Sequence, residues 1–227
     1  MKNRPNLEEQ LTIEMPQKYF FGREDFMVTK SNIEALAFID EFIKSNQRIG
    51  LLVGSPGSGK SHLIKIFMNS IETGLSKIIT LPSNNLFNEF EKNEFTIIED
   101  IHNINLKFSE EDLLHAINIS KETKRSLIMT SRIPISRFEI KLTDLRSRLE
   151  SISVTFIEEP DDELMKSIIL KMLRDRQLMV SPAIIEFLMK RLERTYLEIN
   201  RTINLIDKYA LEKGKRVSIS LIREIFN

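Results

Sequence analysis

The residues Gly54-Ser55-Pro56-Gly57-Ser58-Gly59-Lys60-Ser61 constrain this chain more than any other eight. Their spacing is G-x-x-x-x-G-K-[ST], the pattern of a phosphate-binding loop. The flanks agree with it. Residues 49–53 form a short apolar run that reads as a buried strand, and residues 62–68 follow with helical spacing. Strand, glycine-rich loop and helix is the order this chemistry requires. Glycines let the main chain curl so that its N–H groups face a polyphosphate, and the helix N-terminus adds about half a positive charge at the same spot. Lys60 can reach the β- and γ-phosphates, and the Ser61 hydroxyl can ligate Mg2+. A glycine-rich turn before an ordinary helix is the plainer reading; motif and flanks together favour nucleotide binding.

The rest of the chain supplies a matching frame. Further apolar runs at 76–81, 95–98, 126–130 and 153–157 read as strands. Helical patterns at 31–44, 109–121 and near 141–149, with a short helix or turn at 84–91, fall between them. Ser109-Glu110-Glu111-Asp112 reads as a capping box. Strands alternating with helices predict a parallel sheet covered on both faces. After Pro160 the pattern becomes all helical. One helix starts at Asp161-Asp162-Glu163, one at Ser181-Pro182, one runs from about Tyr196 to Lys213 before Gly214, and a last one opens at Ser218 or Ser220. Residues 1–18, with Pro5 and Pro16 and no periodicity, read as a flexible arm.

Composition narrows the chemistry. With no cysteine there is no disulfide framework, no thiolate zinc site and no thiol nucleophile, in keeping with a cytoplasmic location. No apolar run approaches a membrane span, and the N-terminus lacks a signal-peptide core. The formal net charge of zero argues against wholesale non-specific DNA binding.

A nucleotide hydrolase of this class needs acids at the end of a neighbouring strand, one for Mg2+ and one to activate water. Thr96-Ile97-Ile98-Glu99-Asp100 supplies an apolar run and two acids. Asp100 can activate water, or hold the metal itself and leave no base; two carboxylates capping a turn is the plainer alternative. Thr130-Ser131-Arg132 ends the next strand, where a polar group can read the γ-phosphate or simply make a turn. Leu145-Arg146-Ser147-Arg148-Leu149 places two arginines on different sides of a helix. One can act as an arginine finger on nucleotide held by a neighbour, and a solvated salt-bridging face is the commoner fate.

Taken together, these motifs resemble the DnaA family of AAA+ ATPases. Gly59-Lys60-Ser61-His62-Leu63 is close to that family's Gly-Lys-Thr-His-Leu, and Phe26-Met27-Val28 followed by Ser31-Asn32 resembles the segment leading into its first helix. Leu145 to Leu149 resembles its arginine-finger box, which makes Arg148 the finger candidate. The resemblance covers about residues 19–227. It implies an α/β AAA+ P-loop NTPase with a parallel sheet flanked by helices, plus a small all-helical lid subdomain. The implied division is an arm at 1–18, a base domain at 19–158 and a lid at 159–227. Adenine nucleotide, ADP or ATP, would be held by Gly54, Pro56, Gly57, Ser58, Gly59, Lys60, Ser61 and His62, and Mg2+ by Ser61 and Glu99. Glu99, Asp100 and Arg148 would be the catalytic set.

Within the family the chain resembles the short Hda branch, in its α-proteobacterial form, because it ends with the lid and carries no helix-turn-helix domain for duplex DNA. That branch implies action with the DNA-loaded sliding clamp, stimulation of hydrolysis of DnaA-bound ATP and no membrane association; it leaves room for a homodimer. Gln10-Leu11-Thr12-Ile13-Glu14-Met15 resembles the clamp-binding peptide Gln-Leu-x-Leu-x-Leu, with Gln10, Leu11, Ile13 and Met15 as the contacting residues. A Gln amide can make paired hydrogen bonds while alternate apolar side chains fill a groove.

Three positions depart from the family. Glu99 stands for its first acid, Arg132 for its sensor 1 Asp, and Leu197 falls where its sensor 2 Arg sits, with Arg194 and Arg201 one turn to either side. The resemblance therefore implies weak or absent intrinsic hydrolysis. Two other readings compete: a helicase-loader-type AAA+ ATPase, and a non-hydrolysing adaptor that uses nucleotide for folding or assembly.

Overall fold

The computed structural model describes Arg23 and residues 26–44, 48–71, 74–81 and 83–226. The arm and its Gln10, Leu11, Ile13 and Met15 lie outside the described residues. Helix α1 (Ile33–Lys44) leads into β1 (Ile49–Gly54) and α2 (Lys60–Asn69). Then come β2 (Ser76–Ile79), α3 (Leu86–Lys92), β3 (Phe95–Ile98), α4 (Glu110–Thr123), β4 (Ser126–Ser131), α5 (Thr143–Glu150) and β5 (Ser153–Ile157). The chain closes with α6 (Asp162–Asp175), α7 (Pro182–Met189), α8 (Tyr196–Lys213) and α9 (Ile219–Phe226).

The five strands form one sheet in the order β2-β3-β4-β1-β5, and every pairing is parallel. Parallel strands are joined by crossovers that cover both faces, so their residues alternate between two cores. Leu51, Val53, Ile98, Leu127 and Met129 pack with α3, α4 and α5, chiefly against Phe90, Leu113, Ile117, Leu145 and Leu149. Leu52, Ile97 and Ile128 turn the other way, onto Phe38, Ile39 and Phe42 of α1 and Leu63, Ile64 and Phe67 of α2. Helices α6 to α9 have their own apolar cluster, built on Met165, Ile169, Leu188, Ile199, Ile203, Ile206 and Ile222. Among the described residues no helix is long and apolar enough to cross a membrane.

Register decides what meets at the sheet's upper edge. Val53 is level with Ser131, and Ile98 with Met129. The chain therefore leaves β1, β4 and β3 side by side, carrying the phosphate loop, Arg132 and the Glu99-Asp100 pair to one place. Open parallel sheets bind ligands beyond these carboxyl ends.

Local chemistry sets the helix ends. The Ser109 hydroxyl accepts from Asp112 N, and the Asp112 carboxylate accepts from Ser109 N, so the capping box is real. Ser31, where the helical pattern begins, stands just ahead of α1. Its carbonyl accepts from Glu158 N at 3.1 Å, tying the helix entrance to the end of β5. Asn32 takes up the turn, accepting from Thr29 N and donating to Met27 O. The second strand stops two residues short of the expected 76–81.

Glu110 carries a role that spacing along the chain did not reveal. Its side chain is buried, and its oxygens accept from Lys141 N at 2.9 Å and Leu142 N at 2.7 Å, with Asn105 Nδ2 at 3.2 Å. It thereby satisfies backbone donors at the start of α5, whose own N-cap residue Leu142 has no side chain to do so. Burial opposes the charged form, but the N–H donors of Leu142 and Lys141 and the Asn105 amide outweigh it and hold the carboxyl below its ordinary value. A depressed carboxyl stabilises the fold above its unfolded pKa, and that contribution is lost as pH falls through the folded value. Glu110→Gln should therefore cost about 2–3 kcal/mol at neutral pH and flatten the acid limb of stability below about pH 4.5. Urea melts of both proteins across pH 3 to 7 are the check; parallel curves would mean that Glu110 contributes nothing through its charge.

Candidate functional site

The loop between β1 and α2 is shaped by two left-handed glycines, Gly57 at φ 74° and Gly59 at φ 105°. Gly59 is the N-cap of α2 and offers that helix no capping side chain, so the first-turn N–H groups are left for a ligand. Pro56 sits exposed at the loop tip, Ser58 is buried beneath it, and the Ser55 and Ser58 hydroxyl oxygens are buried without a partner. Lys60 folds back over the loop, its Nζ donating to Gly54 O at 2.7 Å and Ser55 O at 3.0 Å. Burial lowers its pKa; the carboxylates Asp100 and Glu99 oppose that shift, and Arg132 reinforces it. A buried ammonium beside two orphan hydroxyls and an uncapped helix start fits an anion with several oxygens, such as a polyphosphate.

Ser61 and Glu99 are brought together, with Ser61 Oγ donating to Glu99 Oε1 at 3.2 Å. The longer Glu side chain thus reaches the loop serine. Among the described residues no group of three or more His, Asp or Glu side chains is placed to hold a metal. A divalent ion between Ser61 and Glu99 would have to draw its other ligands from phosphate and water, which is the usual habit of Mg2+.

Asp100 lies just beyond Glu99 in a left-handed conformation, φ 58° and ψ 46°. Its N–H donates to Thr130 Oγ1 at 3.0 Å, which pins β3's end to β4's. Its carboxylate faces Arg132, which donates from Nη2 to Oδ2 at 3.1 Å and from Nε to Oδ1 at 3.4 Å. His102 Nδ1 stands 3.7 Å from the same carboxylate and accepts from Arg132 N at 3.4 Å. Burial lowers the His102 pKa, Asp100 pulls the other way, and the net direction favours the neutral ring.

The neighbours of the loop come from both ends of the chain. His62 packs its ring edge-on against Phe26, centroids 5.2 Å apart. From the helical cluster, Tyr196 N donates to Gly57 O at 3.0 Å, and a Cβ on Gly57 would lie 3.1 Å from Leu197 N and 3.2 Å from Thr195 Cβ. Leu197 therefore does sit against the phosphate loop. Arg194 is turned aside to Asp162 at 2.6 Å, and Arg201 to Glu198 at 4.0 Å.

Arg148 stands apart from this cluster, on α5, paired with Asp144 one turn back at 3.0 Å. Arg146 donates from Nη2 to Ile140 O at 2.6 Å, so the two arginines have different surroundings. Sequence reasoning missed the Gly57 contact to α8 and the Arg132 fork on Asp100, because both join segments more than 30 residues apart. The polar run Thr130-Ser131-Arg132 was the signal for the second.

Comparisons agree with this geometry. A family model described as RNA helicase matches residues 51–132. The chain is 25% identical over 190 residues to the chromosomal replication initiator protein DnaA of Cutibacterium acnes, a match that spans 75% of this chain and 38% of the initiator. Domain III of DnaA from Thermotoga maritima superposes with a TM-score of 0.79 at 21% identity, covering 93% of this chain and 97% of that one. AMPPCP-bound DnaA from Aquifex aeolicus gives a TM-score of 0.73 at 19% identity, covering 94% and 72%. The fold is that of a DnaA-like AAA+ P-loop domain.

Proposed function

We propose that this chain is an Hda-like regulator of replication initiation: it binds adenine nucleotide at the phosphate loop, docks on the sliding clamp through its arm, and stimulates hydrolysis of ATP held by DnaA. The observation that carries the reading is the loop itself, which gathers buried Lys60, orphan Ser55 and Ser58 hydroxyls and an uncapped α2 start. The likeness to AMPPCP-bound DnaA supports an adenine nucleotide as the occupant. Ser61 and Glu99 would hold Mg2+, which when bound would neutralise phosphate charge.

In this reading residues 159–227 act as the lid. Tyr196 and Leu197 close on Gly57, where an apolar side chain contributes no cation to the phosphates. Own turnover is accordingly weak, and Arg148 works in trans. Hydrogen bonding and alternate apolar contacts from Gln10, Leu11, Ile13 and Met15 would seat the arm in a groove of the clamp.

The test is a reconstitution of purified chain, clamp loaded on DNA and ATP-bound DnaA, with phosphate release as the readout. Stimulation that needs all three components is expected; a chain that leaves DnaA's hydrolysis unchanged sinks the regulatory reading. Substituting Gln10 and Leu11 together by Ala should weaken clamp binding by about 100-fold or more, since the arm's binding energy is concentrated in few anchors. Surface plasmon resonance on immobilised clamp measures it, and equal affinity of the two proteins would remove the arm from the mechanism.

A further inference from the structure

We propose that Arg132 is a lock on Asp100, holding the carboxylate out of catalysis so that bound nucleotide is kept instead of being consumed. The inference rests on the phosphate loop binding a nucleoside triphosphate, as proposed above. Asp100 is the acid left to act as base: it follows Glu99, which is already engaged with Ser61, at the end of β3 beside the loop. Both its oxygens, however, receive the Arg132 guanidinium, at 3.1 and 3.4 Å. Such a two-contact fork engages both carboxylate oxygens and competes with a water for them.

The rest of the site builds the fork in. Thr130 fixes the Asp100 backbone, and His102 accepts from the Arg132 N–H, so both partners are held at the main chain as well as the side chain. The pair is also reachable, with Arg132's side chain 48% and Asp100's 33% exposed. Exposed pairs are weak enough to be broken by a competing anion or a partner side chain.

Releasing the fork frees Asp100 for its step in the reaction. A water oxygen attacks the γ-phosphorus, the bond from that phosphorus to the β,γ-bridging oxygen breaks, ADP leaves with the electron pair, and the water's proton passes to an Asp100 oxygen. In the locked form the guanidinium competes with the water for the Asp100 oxygens and disfavours that last transfer.

The experiment measures ATP turnover and nucleotide affinity in four proteins: the natural chain, Arg132→Ala, Arg132→Gln and Arg132→Ala/Asp100→Asn. Arg132→Ala should raise kcat at least about 10-fold with KM changed less than about 3-fold, and Arg132→Gln should follow it. Adding Asp100→Asn should return turnover to the starting level. Loss of a merely structural contact would lower activity, so a gain that depends on Asp100 is diagnostic. If either variant folds and binds ATP as the natural chain does but shows no gain, the lock is overturned while nucleotide binding stands. If the natural chain itself fails to bind ATP by calorimetry, both readings fall together.

Discussion

Replacing Lys60 by Ala should reduce adenine nucleotide affinity at least about 100-fold while leaving the fold nearly as stable as before. The two effects separate because the ammonium has different work in the two states. Without ligand it spends its donors on Gly54 O and Ser55 O and is held in a buried place that lowers its pKa. Desolvation therefore offsets much of what those bonds contribute, and removing the side chain should shift stability by only about 1 kcal/mol. With a polyphosphate present, the same ammonium faces several anionic oxygens at short range. Charge-assisted bonds of that kind are worth about 1.5–3 kcal/mol each, and about 2.7 kcal/mol corresponds to 100-fold in affinity. Lys60→Arg should rescue poorly, because a planar fork does not fit a place shaped for a point charge between two carbonyls. Isothermal calorimetry with ADP and ATP, beside thermal melts of the ligand-free proteins, reads both quantities. An affinity within a few-fold of the natural chain would mean that the loop is not a nucleotide site.

How far such a site can be read from a sequence depends on how local its parts are. The loop's place between β1 and α2 was legible because its glycines and its flanks lie in one short stretch of chain. The sheet was legible because β1, β3 and β4 are buried on both faces and so appear as unbroken apolar runs. The edge strand β2 was harder to bound: Lys77 and Ile78 within it are exposed, while Leu81, two residues past its end, is apolar and buried, so the apolar signal overruns the strand. Glu110 shows the limit most clearly. Next to Ser109 it looks like one acid of a capping box, yet its carboxylate serves backbone donors 31 and 32 residues away. Nothing in the spacing of acids along a helix encodes that partner. The same holds for Asp100, whose neighbours Thr130 and Arg132 arrive from another strand. Register supplies those meetings, and register is a property of the assembled sheet.

Under the proposed function, Arg148→Ala should cut stimulation of DnaA-bound ATP hydrolysis by about a thousandfold and should scarcely alter the chain's own stability. Two arginines stand two residues apart on α5, which places them about 200° apart around the helix. Buried Leu145 and Leu149 anchor the helix between them. Arg146 is committed to its own backbone through Ile140 O, so its loss should cost stability and leave the chemistry alone. Among the described residues Arg148 is engaged by Asp144, at 3.0 Å, with side-chain exposures of 30% and 57%. An i,i+4 pair so placed is worth about 0.3–0.5 kcal/mol, little enough for the guanidinium to be given up to a stronger anion. Charge developing on a transferring γ-phosphoryl group is such an anion, and an arginine supplied from outside typically contributes about 10³–10⁵ in rate. Arg148→Lys should fail to rescue, because an ammonium cannot span two equatorial oxygens. Asp144→Ala should leave stimulation intact or raise it, since it removes the competitor and not the finger. Phosphate release from ATP-loaded DnaA with DNA-bound clamp distinguishes all four proteins. Full stimulation by the Arg148→Ala chain would assign the effect elsewhere on the surface, and loss in the Arg146→Ala chain at unchanged stability would exchange the roles of the two arginines.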